Sequence, residues 1–400
     1  MIKIGIRKNL ICPLLLFIFS FSSQIVSIIM DEIFNFGGSL LLTLIMFLSE
    51  IISGLILYLY NIVFLHRKQE KSFMGIKLVQ APSNISHPDN NFKIYMLIIE
   101  AGFFDFIQFI LGTYYLPKIN NDLTSSLDIH LRSILTTLCS SLLCYYLLKF
   151  PIYKHHKFSL LLIFICFIIT LISESYFILF SKNINTNHFF YVLLLIFINY
   201  LFSSSIDIIE KYLLEFNFIN PFKILMIEGI FGFIISSIYS FIYNPFIEIK
   251  HFYEYNEANK FFLLIICLIL YFILSAGRNI YRILTNKLYS PMVWTLTDSF
   301  SDPLLNIYYT YFSTKSLKKQ NHFYFSIHLI ISIIIVFCAL IYNEFLILFC
   351  CELEHNTYSE IMRRSTNKEN YSHCKLEETY DNEDNEDNED NEDNENENNF

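Results

Sequence analysis

The sequence predicts an all-α polytopic membrane protein, ten transmembrane helices built as two inverted five-helix repeats. Three observations carry that expectation. Ten apolar runs fill the chain from Leu10 to Cys351, each near the roughly 20 residues that cross ~30 Å of hydrocarbon as a helix. Of the 400 residues 54% are hydrophobic, and no soluble domain repeats apolar stretches of that length. Finally, polar and small residues recur in matching runs of the two halves.

The runs lie near 10–30, 38–64, 92–116, 127–149, 158–180, 188–209, 222–243, 261–283, 288–312 and 323–350. The first follows Lys3, Arg7 and Lys8 like a signal peptide, but it is long for a signal core and no small-x-small cleavage site follows. It reads as a retained span. The predicted units are 1–180 (spans one to five), 181–351 (spans six to ten) and a polar tail, 352–400. From 377 to 397 the tail carries 13 Asp and Glu and no Lys or Arg. Removing those 13 from the formal net charge of −9 leaves +4 for the rest. The Asp-Asn-Glu repeat after Asp381 has almost nothing apolar to bury and reads as disordered, its bland origin being a short codon repeat.

Basic residues set the expected orientation. With the N-terminus in the cytosol, 16 Lys and Arg (from Lys3 to Lys287) fall on that side and 7 on the other. The group Lys315, Lys318 and Lys319 runs against the bias. Both termini are then cytosolic, and the sequons at Asn84 and Asn370 stay unmodified. Nine cysteines show no CxxC or zinc spacing and read as small core residues, with Cys350 and Cys351 placed for S-palmitoylation.

Charges inside the runs are the strongest functional signal. A charge at a bilayer centre costs roughly 2.5–3.5 kcal/mol on insertion scales, so one is seldom kept without a partner or a task. Glu50-Ile-Ile-Ser-Gly54 in span two recurs as Glu228-Gly-Ile-Phe-Gly232 in span seven, and Ala101-Gly102 recurs as Ala276-Gly277. Arg132 in span four and Asp298 in span nine take equivalent places with opposite sign. An odd number of spans per half inverts the second half, the plan of many secondary transporters with a midplane solute site.

Each charge has two readings. Arg132 suits an anionic group, because its planar fork matches phosphate or carboxylate. Alternatively it is a structural tie to Asp298 or Asp105. Asp298 serves proton coupling or pairs with Arg132. Asp105 and Gln108, one turn apart, line a cavity or form a polar stripe. Glu50 and Glu228 titrate, or tie helices beside Gly54 and Gly232, with packing preferred. Asp302-Pro303 marks a kink. Glu100, Glu174, Asp207, Glu344, Arg278 and Arg282 read as span-end groups that reach headgroups, and His155-His156 as a solvated turn.

Several strings resemble the drug/metabolite transporter superfamily, in its nucleotide-sugar-transporter-like branch, the F group of solute carrier family 35. They are Met46-Phe-Leu-Ser-Glu50, Glu210-Lys-Tyr-Leu-Leu-Glu215, Asn220-Pro-Phe-Lys223, Glu228-Gly-Ile-Phe-Gly-Phe233 and Ala339-Leu-Ile-Tyr-Asn343, with Leu131-Arg132 and Asp298. The resemblance spans about residues 10 to 350 and implies a ten-helix, five-plus-five inverted fold working by alternating access. It also implies an endomembrane location: Golgi, vacuole or lysosome. The Phe-Tyr-Asn-Asn and Gly-Ala-Leu-Asn-Lys strings of GDP-mannose carriers are missing.

The expected function is a secondary membrane transporter moving a small polar solute, an anionic, nucleotide-sugar-like one being favoured. The alternative is a non-transporting scaffold or receptor of the same fold acting through its acidic tail. No catalytic constellation, phosphate-cradling loop or metal array is visible, so no enzyme activity, metal or cofactor is expected. The expected partners are the lipid bilayer and a small-molecule solute, with no nucleic acid; a homodimer is compatible with the pattern.

Overall fold

A computed structural model describes residues 11–34, 40–65, 91–119, 121–150, 152–176, 186–243, 258–289, 291–311 and 322–347, with 3–4, 72–73, 76–77 and Thr357. Helices occupy all ten predicted apolar runs: α1 (Ile11–Phe34), α2 (Leu40–Tyr60), α3 (Asn91–Ile110), α4 (Asn121–Leu147), α5 (Lys154–Tyr176), α6 (Thr186–Glu215), α7 (Pro221–Tyr243), α8 (Ala258–Leu288), α9 (Met292–Tyr311) and α10 (His322–Tyr342). π-Helical turns extend α2 and α3 at Asn61–Leu65 and Leu111–Tyr115. Strands among the described residues amount to two antiparallel pairs of two residues each. One of them joins Lys3–Ile4 to Leu346–Ile347, bringing the segment before α1 beside the segment after α10. The sequons, Cys350, Cys351 and the acidic tail lie outside the described residues.

Six helices, α1, α2, α5, α6, α7 and α8, are long and apolar enough to cross a membrane, and α10 adds a shorter apolar stretch, Ser326–Tyr342. The protein is an integral membrane protein with an all-helical core. Large apolar side chains stand exposed along one side of several helices, such as Ile52, Ile56 and Leu59 on α2, Leu161, Ile165 and Ile172 on α5, and Ile266, Ile269 and Ile273 on α8. Water would reject these faces, and lipid accepts them. The three long helices outside that set, α3, α4 and α9, are the ones that carry Asp105, Arg132 and Asp298. Their shortfall is composition rather than length.

Helix packing falls into matched sets. The pairing α1–α8 has a counterpart in α6–α3, α2–α8 in α7–α3, α4–α6 in α9–α1, and α4–α5 in α9–α10. Three pairings, α2–α7, α4–α9 and α5–α10, join a helix to the one five places on. The tightest crossing is α2 on α7, and glycine allows it. A Cβ on Gly54 would lie 2.8 Å from the Met226 backbone nitrogen, and one on Gly229 would lie 2.8 Å from the Glu50 Cβ. Gly232 lies against the Phe47 ring. The Ala-Gly repeat is used differently in its two copies: Gly102 meets the Glu228 carbonyl on α7, whereas Gly277 meets the Phe19 ring on α1.

Local sequence explains the tight turns. Asn220 caps α7, its Oδ1 accepting the Phe222 N–H at 2.9 Å, and Pro221 takes the first helical position, where no N–H is needed. At the end of α10, Glu344 adopts a left-handed backbone (φ 57°). The Phe345 N–H then reaches the Leu340 carbonyl at 3.0 Å, a helix stop that glycine usually supplies. α9 continues through Pro303 to Tyr311.

Candidate functional site

Two polar regions lie inside the bundle. The larger joins α2, α3, α6, α7 and α8. Arg282 of α8 is buried and donates from Nη2 to Glu210 Oε1 of α6 at 2.5 Å, with Glu228 Oε2 of α7 at 4.0 Å. Asn286, one turn further along α8, donates to Glu210 Oε2 at 2.7 Å and to Asp207 Oδ1 at 3.2 Å. Arg278, one turn before Arg282, reaches the Met46 sulfur at 3.3 Å and Asn279 Oδ1 at 3.1 Å. Glu50 and Asp105 are buried within the field of both arginines. Five carboxyls (Glu50, Asp105, Asp207, Glu210, Glu228) thus share two guanidinium groups. Among the described residues, neither carboxyl oxygen of Glu50 has a hydrogen-bond partner.

This region corrects several sequence expectations. Arg282, Asp207 and Glu174 are buried against neighbouring helices instead of reaching outward. Helix length misleads there, because α6 and α8 run 30 and 31 residues and the apparent span ends lie well inside them. Without Arg278 and Arg282, the 16 basic residues expected on the cytosolic side become 14 against 7. Close packing at the α2–α7 crossing is the work of Gly54, Gly229 and Gly232, with Glu50 and Glu228 facing the polar network.

The second region centres on α4. Arg132 Nη2 donates to Asp128 Oδ2 at 2.9 Å, one turn back on the same helix, and Nε donates to Tyr200 Oη of α6 at 3.3 Å. The Tyr200 hydroxyl in turn donates to Asp128 Oδ1 at 2.5 Å. The Arg132 and Asp128 side chains keep 19% and 25% exposure, so this pair is reachable where the first is not. The Asp298 side chain lies outside the described residues, although its helix α9 packs on α4. Asp105 belongs with Arg278 and Arg282, and Gln108 is half-buried one turn beyond it. Asp302 is buried.

Hydroxyls line the same helices. Ser133, Thr136, Thr137, Ser140 and Ser141 on α4, and Thr295, Thr297, Ser299 and Ser301 on α9, are all buried. Most donate to a carbonyl of their own helix, as Thr136 does to Arg132 at 2.7 Å and Ser299 to Thr295 at 2.7 Å. That habit satisfies the O–H inside an apolar bundle and leaves oxygen lone pairs for a guest. Where α4, α9 and α10 end near the bundle face, Ser141, Cys144, Tyr289, Met292, Tyr342 and Glu344 help line a cavity of about 170 Å³.

No family model matches the chain, and neither does any curated protein. The resemblance strings therefore have to be judged by what their residues do. Most are helix ties. Glu210 binds Arg282, and Lys211 donates to the Tyr289 carbonyl at 2.8 Å. Asn220 caps α7, and Asn343 donates to the Met292 carbonyl at 3.2 Å, fastening α10 to the start of α9.

Sequence reasoning passed over Arg282, Asn286 and Gly229 as site residues. One signal was available: Arg278, Arg282 and Asn286 recur every four residues and make a polar stripe along an otherwise apolar helix. The expectation that His155 sits in a solvated turn also fails. His155 is buried, with its Nε2 3.4 Å from Glu344 Oε1.

Proposed function

We propose that the protein is a secondary transporter of the drug/metabolite transporter type, moving a small polar, anionic organic solute between two inverted five-helix halves. The observation that carries this reading is the matched packing, in which the hydroxyl-rich helices α4 and α9 are each other's counterparts and contact one another. Symmetry-related halves meeting along polar helices are what rocking-type alternating access requires. A passive bundle has no use for them.

On this reading Arg132 receives the anionic group of the solute. One of its partners is a partly exposed i,i+4 carboxylate, an interaction of a kind worth about 0.3–0.5 kcal/mol, with which a phosphate or carboxylate can compete. Glu50 is the coupling candidate, because glycines do the packing beside it and its carboxyl oxygens have no hydrogen-bond partner among the described residues. The cavity at the ends of α4 and α9 is the entrance. At about 170 Å³ it is below the roughly 300–1,000 Å³ of ligand pockets, so it must widen to admit a nucleotide sugar. Pairing of Lys3–Ile4 with Leu346–Ile347 favours both flanking segments on one side, and the basic bias makes that side the cytosol, in an endomembrane. The test is uptake by proteoliposomes against nucleotide sugars, nucleotides and organic anions, with Arg132→Gln in parallel.

A further inference from the structure

Apart from both polar regions, three side chains from three helices converge on one buried point. Glu174 of α5 is fully buried, and His130 of α4 and His328 of α10 are nearly so. His130 Nδ1 lies 2.5 Å from Glu174 Oε1, and His328 Nε2 lies 3.7 Å from the same oxygen. The two imidazoles stack with centroids 3.7 Å apart and planes 15° from parallel. Ser173 Oγ adds a further polar atom 3.3 Å from His328 Nε2.

The surroundings give this cluster no packing reason to exist. It borders an apolar cluster made by the same three helices, in which Ile134, Ile163, Cys166, Ile331, Ile335 and Cys338 meet. One turn before Glu174, the Thr170 hydroxyl is buried with no hydrogen-bond partner among the described residues. Leucine or isoleucine at the three positions would extend the apolar cluster at no desolvation cost.

We propose that His130, Glu174 and His328 form a binding site for a divalent transition-metal ion of the zinc class. Two imidazoles and one carboxylate are a known zinc donor set that leaves a fourth position for water. The ligating atoms of the trio all lie within 4.8 Å of one another. Ligands at roughly 2.0–2.2 Å from zinc sit about 3–4 Å apart, so His130 and Glu174, now 2.5 Å apart, need to separate by about 0.5–1.5 Å. The donor chemistry also fits: each imidazole has a ring nitrogen that can offer a lone pair to a cation, and the carboxylate supplies negative charge beside them.

The position fits an ion from one face of the bundle. Glu174 lies two residues before the end of α5, His328 six residues into α10 and His130 nine residues into α4. These correspond to depths of about 3, 9 and 14 Å along the helices. All three helix ends belong to the face opposite the Lys3–Ile4 pairing. A bound ion fastens α4, which carries Arg132, to the α5–α10 pair.

The test uses the full chain purified into lipid nanodiscs, titrated with Zn²⁺ by calorimetry and with Co²⁺ by visible absorption. One ion per chain should bind here with d–d bands of a low-coordinate nitrogen and oxygen site. His328→Gln and Glu174→Gln should remove the bands and weaken Zn²⁺ more than about tenfold, beyond what losing an outer-shell partner does. His156→Gln, at the separate His155, His156 and Glu344 group, should leave both unchanged. Absence of binding to the unaltered chain, or bands that survive His328→Gln, overturns the proposal. Should the buried-site variants fail to fold, X-ray absorption of Zn²⁺-loaded His156→Gln decides: two imidazoles in the shell support the site, and fewer reject it.

Discussion

The two polar regions differ in one respect that separates their roles. Around Arg282 the five carboxyls and Arg282 itself are buried, and contacts cross from helix to helix, joining α6, α7 and α8. Around Arg132 the ion pair lies within α4 and keeps partial exposure, and Tyr200 of α6 adds a cross-helix contact. Buried pairs resist exchange, because removing one partner strands the other charge in low dielectric. A partly exposed pair exchanges partners more readily. Arg282 thus ties α6, α7 and α8 together, and Arg132 is the arginine proposed to meet a solute.

The sharpest break of that comparison is Arg282→Leu. It strands Glu210 and leaves Asn286 to hold it alone, so the folded state should lose about 3–5 kcal/mol. The expected outcome is loss of monodisperse protein on size-exclusion chromatography. Adding Glu210→Leu in the same chain should recover most of it, since replacing both partners of a buried pair by apolar residues is often neutral. A double variant no better than the single would show that the pair is not the unit of stability.

Next in size is the α2–α7 crossing, which holds the network in register. Gly229→Val places a branched side chain where even a Cβ comes within 2.8 Å of Glu50. Overpacking of that kind costs about 1–3 kcal/mol and should lower the melting temperature in detergent. The smallest effect is Asn220→Ala, which removes the α7 cap for about 1 kcal/mol and should leave solute uptake intact.

The sequence made the helices legible because the bilayer imposes one length and one polarity on each run, and all ten runs hold helices. Pairwise chemistry was less legible. The Glu50/Gly54 and Glu228/Gly232 repeat correctly marked a close crossing, since glycine spacing along a helix is local information. Which charges meet across helices is not local: Arg132 was read against Asp298, whose side chain lies outside the described residues, or Asp105, and it meets Asp128 one turn back on α4 and Tyr200 of α6. Arg282 was assigned to a headgroup because apolar run length ends before helix length does. His130, Glu174 and His328 come from three separate runs, and no spacing along the chain joins them.

Uptake by proteoliposomes tests the central claim most directly. Unaltered protein should accumulate at least one nucleotide sugar, nucleotide or organic anion. Arg132→Gln should abolish that uptake while abundance and melting temperature stay near the unaltered values. Uptake that survives Arg132→Gln, or no uptake of any member of the panel, would contradict the account.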